Sequence, residues 1–129
     1  MTPELEARVN EITGAVIGAA MAVHTALGPG LLESAYEACL AFELRARGFQ
    51  VETQVELPVV YREVRIDCGF RIDLLVENVV VVELKAVQKL ADIHTSQLLS
   101  YLKLSGKPVG LLINFHELHL RDGIKRLAI

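Results

Sequence analysis

Phe70-Arg71-Ile72-Asp73-Leu74-Leu75-Val76-Glu77-Asn78-Val79-Val80-Val81-Val82-Glu83-Leu84-Lys85 is mostly apolar and rich in Val, Ile and Leu. That composition predicts two strands around a turn at Glu77-Asn78. Asp73, Glu83 and Lys85 interrupt the apolar run, and charges in such a setting are costly unless paired or bound to a metal. Glu83 and Lys85 are two apart, so on a strand they point to one face. The turn decides where Asp73 falls. A two-residue turn at 77–78 pairs Asp73 with Val82 and puts Glu83 on the opposite face. A three-residue turn, or a bulge, sets Asp73 across from Glu83, and Asn78 tolerates the left-handed backbone this needs. The longer turn or a bulge is therefore expected.

Given that register, Asp73 and Glu83 can hold Mg²⁺ or Mn²⁺, hard cations that favour oxygen ligands and keep several waters. Such an ion activates water and neutralises charge on a phosphate, while Lys85 stabilises the developing anion or orients the water. A structural ion pair of Lys85 with Glu83 or Asp73 explains the same cluster, and the stretch alone does not separate the two readings.

Upstream, Leu5, Val9, Ile12, Val16, Ala19, Ala20, Val23 and Leu27 recur at helical spacing and predict a helix over Pro3–Leu27. Gly14 and Gly18 on it allow another helix, of this chain or of a partner copy, to approach closely; Gly28-Pro29-Gly30 ends it. A second helix over 31–47 carries Leu32, Ala35, Tyr36, Leu40 and Leu44 on one face and stops at Gly48. Over 51–60 the pattern alternates, with Val51, Thr53, Val55 and Leu57 set against Glu52, Gln54 and Glu56, as in a strand. Strands are expected at 64–76 and 79–84, then a helix at 91–105 ending at Gly106-Lys107-Pro108. The nearly pure apolar run 109–115 suits a strand covered on both faces. Residues 118–121 and 124–127, around Asp122-Gly123, read as a C-terminal hairpin. The order is that of one α/β domain over 1–129, with no linker.

The helices add polar residues to the cluster. His94, Gln97 and Tyr101 form one stripe on the third helix, beside a leucine face. Glu33 and Tyr36 share a face near the start of the second, where the helix dipole favours an anion. Each is ordinary by itself, since such residues are usually solvated surface. Together the segment Gly30-Leu31-Leu32-Glu33-Ser34-Ala35-Tyr36 matches the motif that names the GxxExxY family, a branch of the PD-(D/E)xK nuclease superfamily. Val23-His24, Leu27-Gly28-Pro29-Gly30, Asp73-Leu74-Leu75-Val76, Glu83-Leu84-Lys85-Ala86, Gln97 with Tyr101-Leu102-Lys103, and the run 110–115 resemble the same family, in the same order. The resemblance covers the chain from about residue 10 to its end.

It implies a restriction-endonuclease-like α/β core, a central mixed β-sheet flanked by helices. Asp73 and Glu83 match the superfamily's two acidic metal-binding positions, and Lys85 its lysine. Glu33 matches a helix-borne glutamate that joins the metal site or its surroundings in related nucleases. Gln97 and Tyr101 are similar to the Q-x-x-x-Y motif of RecB-type nucleases, which helps to place DNA. Ile72, not proline, precedes Asp73, a departure the superfamily tolerates. His24 reads first as a histidine hydrogen-bonded at a helix end. As some RecB-type relatives ligate metal through a helix histidine, it is also a candidate ligand. Lys89, Lys103, Lys107, Lys125 and Arg126 are candidate phosphate contacts, with solvated charge as the default for each.

The bulk composition agrees with a single buried core. The chain has 129 residues, of which 52% are hydrophobic, enough for a core without disulfides. A mean hydropathy of +0.38 points to apolar surface covered by self-association, in the simplest case a homodimer. Cys39 and Cys68 are too few and too scattered for a disulfide framework or zinc site, and suit a reducing cytoplasm. The acidic N-terminus lacks the basic region of a signal peptide. Residues 12–32 lack charge, but their Ala/Gly content, His24 and the Gly-Pro-Gly break favour a buried helix over a membrane span. Residues 1–60 carry a balance of −5 and residues 61–129 one of +2, so a phosphate-facing surface is expected in the second half. Two functions follow: a Mg²⁺- or Mn²⁺-dependent nuclease acting on DNA, or a non-catalytic module that keeps the fold to bind nucleic acid or protein.

Overall fold

A computed structural model describes residues 1–129. Helix α1 spans Pro3–Leu27 as expected. Thr2 caps it through its hydroxyl, which accepts from Leu5 N at 3.1 Å, and Pro3 opens the first turn, where its missing N–H costs nothing. Helix α2 spans Glu33–Ala46, two residues shorter at its start and one at its end than the expected 31–47. Strands β1 (Val51–Glu56), β2 (Val59–Tyr61), β3 (Val64–Ile66), β4 (Arg71–Val76) and β5 (Val80–Lys85) follow, then α3 (Asp92–Ser105), β6 (Val109–Asn114) and β7 (Ile124–Ala128).

The main sheet is mixed, in the order β1-β4-β5-β6-β7, and only the β5–β6 pair is parallel. β2 and β3 form a separate two-stranded hairpin between β1 and β4. Side chains alternate along β5, β6 and the Leu74–Val76 end of β4. Val80, Val82 and Leu84 join Leu74, Val76, Leu111 and Ile113 in a core covered by α1 and α2. Val81, Leu75 and Leu112 face the other way, into a smaller core with Leu98, Tyr101 and Leu102 of α3. Helices thus cover both faces of the sheet, an arrangement consistent with the PD-(D/E)xK expectation. None of the helices is long and apolar enough to cross a membrane.

Three local expectations change. The run 51–60 divides at Leu57-Pro58, where proline cannot donate to a ladder, and 64–76 divides at Asp67–Phe70, where Gly69 turns left-handed (φ 76) and donates to Asp67 Oδ1. The C-terminal antiparallel pair exists, but β7 pairs with β6 rather than with 118–121. Asp122-Gly123 lies in a 3-10 turn over Leu120–Gly123, and its glycine is there for space: a Cβ would stand 2.7 Å from the Asn114 carbonyl oxygen. The glycine stripe of α1 is not a helix contact within the chain. A Cβ at Gly14 would meet nothing within 4 Å, and one at Gly18 only the Arg47 guanidinium.

Candidate active site

Val76 pairs with Val80, Leu75 with Val81 and Leu74 with Val82, so the β4–β5 turn has three residues, the longer of the two expected. Glu77 and Asn78 both adopt left-handed backbone, at φ 52 and 57. A glutamate is unusual there, and Glu77 is held by its neighbours. Gln50 N donates to its Oε2 at 2.6 Å and Arg8 to its Oε1 at 2.7 Å, which together hold its carboxyl below the usual range.

Beyond Leu74 the two strands part, and carboxylates replace the ladder. Asp73 N donates to Glu83 Oε1 at 3.0 Å, and Leu84 N donates to Asp73 Oδ2 at 2.9 Å. Asp73 and Glu83 are thereby locked together, each bracing the other's strand. Glu83 is only 4% exposed. Burial, and then the negative charge of Asp73, push its carboxyl up to about 8, although Lys85 pulls the other way.

Lys85 does not neutralise either carboxylate. The three ion pairs within 4.0 Å are Arg8–Glu77, Arg47–Glu43 and Arg71–Glu56. The Lys85 ammonium instead donates to Gln97 Oε1 at 2.9 Å, and Gln97 Nε2 donates to the Tyr101 hydroxyl at 3.4 Å. α3 therefore delivers Gln97 to the β5 lysine, with Tyr101 behind it. The third stripe residue, His94, turns back to accept from Ala91 N at 2.9 Å and closes the start of the helix. Burial, followed by the charge of Glu83, raises the Tyr101 hydroxyl above its ordinary range.

Glu33 stands exposed at the start of α2, away from the Asp73–Glu83 pair, and its negative charge adds a little to the raising of the Glu37 carboxyl. His24 does not gather with the carboxylates. Its Nε2 lies 2.7 Å from the Glu117 carbonyl, and its ring tilts against Phe115, the helix-end role that the sequence favoured. Tyr36 is fully buried, where its hydroxyl donates to Gly28 O at 2.6 Å and accepts from Leu31 N at 3.1 Å. It ties the Gly28-Pro29-Gly30 loop to α2.

Three residues of the site escaped the sequence reading. Gln54 donates to both Asp73 and Glu37. Glu37 lies one turn beyond Glu33, its carboxyl raised by burial despite the Gln54 hydrogen bond. Asn114 is fully buried at the end of β6, and its side chain bonds both Val87 N and Val87 O, at 3.1 and 2.9 Å. It clamps the loop that follows Lys85. Its polarity at the end of an apolar strand was the available signal; Gln54 and Glu37 gave none.

A family model described as PD-(D/E)XK nuclease superfamily matches residues 10–127. The chain belongs to that superfamily. Searches of curated proteins and of solved structures return no match. PD-(D/E)XK nucleases generally use divalent metal ions, and the donors present suit one. Asp73 and Glu83 offer oxygen alone, which favours a hard cation such as Mg²⁺ or Mn²⁺ over zinc. The charge that burial disfavours on Glu83 is the charge a cation would stabilise. No three His, Cys, Asp or Glu side chains converge, so a cation held by these two carboxylates would leave most of its coordination shell to water and phosphate.

Proposed function

We propose that this PD-(D/E)XK chain is a metal-dependent nuclease that hydrolyses phosphodiester bonds of DNA. The observation that carries the reading is the lysine. Lys85 is close enough for its charge to act on Glu83 yet pairs with no carboxylate, and its ammonium is held by the Gln97 amide instead. A structural ion pair predicts the opposite.

Asp73 and Glu83 would hold Mg²⁺ or Mn²⁺, which supplies Lewis acidity toward a phosphate oxygen and a more acidic water. Lys85 places positive charge where the phosphate gains negative charge in the transition state. Gln97 aims the ammonium, and Tyr101 holds Gln97. Glu33, with Glu37, adds negative potential at the rim that draws a cation in. The segment 30–36 supports a place in the GxxExxY branch, and the Gln97–Tyr101 pair supports RecB-type likeness. A homodimer belongs to the same reading, supported by Leu27, Leu32 and Phe42, which are exposed on α1, the following loop and α2. The two free cysteines support a reducing cytoplasm.

Calorimetric titration of Mn²⁺ into the wild type and an Asp73→Asn/Glu83→Gln variant tests this, with cleavage of double-stranded DNA, single-stranded DNA and RNA assayed in the same buffer. Binding and DNA cleavage are expected in the wild type, with both lost in the variant. Metal binding without cleavage of any of these would favour a non-catalytic module on the same fold. A wild type that binds no Mn²⁺ sinks the reading.

A further inference from the structure

Gln54 is the only residue inside a strand of the main sheet with left-handed backbone, at φ 53. The other non-glycine residues of positive φ, Arg62, Glu63, Glu77 and Asn78, sit in turns between strands. Glycine occupies this conformation without strain, so a glutamine there costs stability that glycine would recover. The backbone has a visible effect. Val51 packs in the core under α1 and α2, whereas Val55 and Leu57 pack in the core under α3. An unbroken strand would hold Val51 and Val55 on one face. Gln54 is the point of reversal in β1, at the rung where β4 also changes face between Ile72 and Leu74, and the register places it where Asp73 would be its partner: Thr53 pairs with Leu74, Val55 with Ile72, and the rung between them is missing.

The side chain explains why glutamine stands there. Its Nε2 donates to Glu37 Oε1 and, at 3.3 Å, to Asp73 Oδ1. A primary amide has two hydrogens, one for each carboxylate. A flipped amide would set its oxygen against two anions, so Glu37 fixes which end faces Asp73. Asp73 is then gripped from both sides, by the Leu84 amide on Oδ2 and the Gln54 amide on Oδ1.

We propose that Gln54 is a positioning residue for Asp73, anchored by Glu37, and that it sets the orientation in which the Asp73 carboxylate meets a divalent cation. The inference rests on the metal-dependent reading above. It also makes Glu37, not Glu33, the α2 carboxylate connected to the site. Residues that orient a metal ligand through hydrogen bonds typically change affinity by about 10- to 100-fold when removed.

The test compares Gln54→Gly, Gln54→Ala and Glu37→Ala with the wild type, reading Mn²⁺ affinity by calorimetry and melting temperature of the metal-free protein by circular dichroism. Gln54→Gly is expected to melt above Gln54→Ala, because glycine accepts the left-handed backbone, yet to bind Mn²⁺ at least about tenfold more weakly than the wild type. Gln54→Ala should lose the same affinity, and Glu37→Ala should weaken binding as well. A purely structural glutamine would give the reverse, with wild-type affinity in the Gln54→Gly variant, and that result overturns the proposal. Wild-type affinity in Glu37→Ala alone removes Glu37 as the anchor. A wild type that binds no Mn²⁺ overturns the nuclease reading itself, and this role with it.

Discussion

Glu83 shows what one buried carboxylate does to the whole stability profile. Its carboxyl titrates at about 8 in the folded chain against an ordinary value of 4.5. Between those values the folded protein keeps a proton that the unfolded chain has lost, so metal-free stability falls as pH rises from 4.5 to 8. Glu37, also raised by burial, contributes with the same sign. Glu77, which is lowered, works oppositely and only in acid: its contribution is present above the ordinary carboxylate range and is lost as pH falls through its folded value. Each pKa unit is worth about 1.4 kcal/mol, so the Glu83 effect is on the order of a few kcal/mol. Urea unfolding at pH 5.5 and pH 8 is expected to show the fall, and Glu83→Gln, permanently neutral, should flatten it and be the more stable protein at pH 8. Equal slopes in the two proteins would remove Glu83 as the cause. Asn114 is the second residue whose environment fixes its effect. Its amide satisfies both polar groups of Val87, so Asn114→Ala should cost about 1–3 kcal/mol in the same assay and slacken the loop after Lys85.

At the scale of elements, the site depends on how closely α3 sits on the sheet. A Cβ at Gly110 of β6 would stand 2.8 Å from Leu98 Cδ1 and 3.2 Å from Leu102 Cδ2, both fully buried. Gly110→Ala should therefore cost about 1–3 kcal/mol by overpacking. The lever also reaches the chemistry, because lifting α3 draws Gln97 away from Lys85. DNA cleavage is expected to fall by more than the unfolded fraction accounts for, and a fall equal to that fraction would show the site tolerates the shift. These elements were legible to different degrees. α1 was legible because its apolar residues recur at helical spacing and Gly28-Pro29-Gly30 ends it. The longer β4–β5 turn was legible because it, or a bulge, is what brings Asp73 across from Glu83 on one face. The reversal in β1 was not, since alternation of Val51, Thr53, Val55 and Leu57 assumes an unbroken pleat, and a left-handed glutamine leaves no mark in composition. Glu37 was hidden for the related reason that a glutamate on a helix is ordinarily solvated. Asp122-Gly123 reads as a hairpin turn in the sequence, whereas its glycine serves close approach to Asn114 within a 3-10 turn.

For the whole molecule, proton, metal and fold are linked through the same pair of carboxylates. A cation bound at Asp73 and Glu83 requires Glu83 to release its proton, so Mn²⁺ affinity should climb with pH and level off above about 8, by up to about tenfold per unit below it. Binding to the folded state alone stabilises it by RT ln(1 + [Mn²⁺]/Kd), about 2.7 kcal/mol at a hundred times Kd. The two dependences oppose each other. Raising pH from 6 to 8 weakens the metal-free fold and strengthens the grip of the ion, so the rise in Tm produced by a fixed Mn²⁺ concentration should widen with pH. A chelator should reverse it at every pH, and Asp73→Asn should show no rise at all. Thermal unfolding at pH 6, 7 and 8, with and without Mn²⁺, reads all of this in one series. A rise of the same size at each pH would mean that no proton leaves when the metal enters, and Glu83 would then not be the residue that holds it.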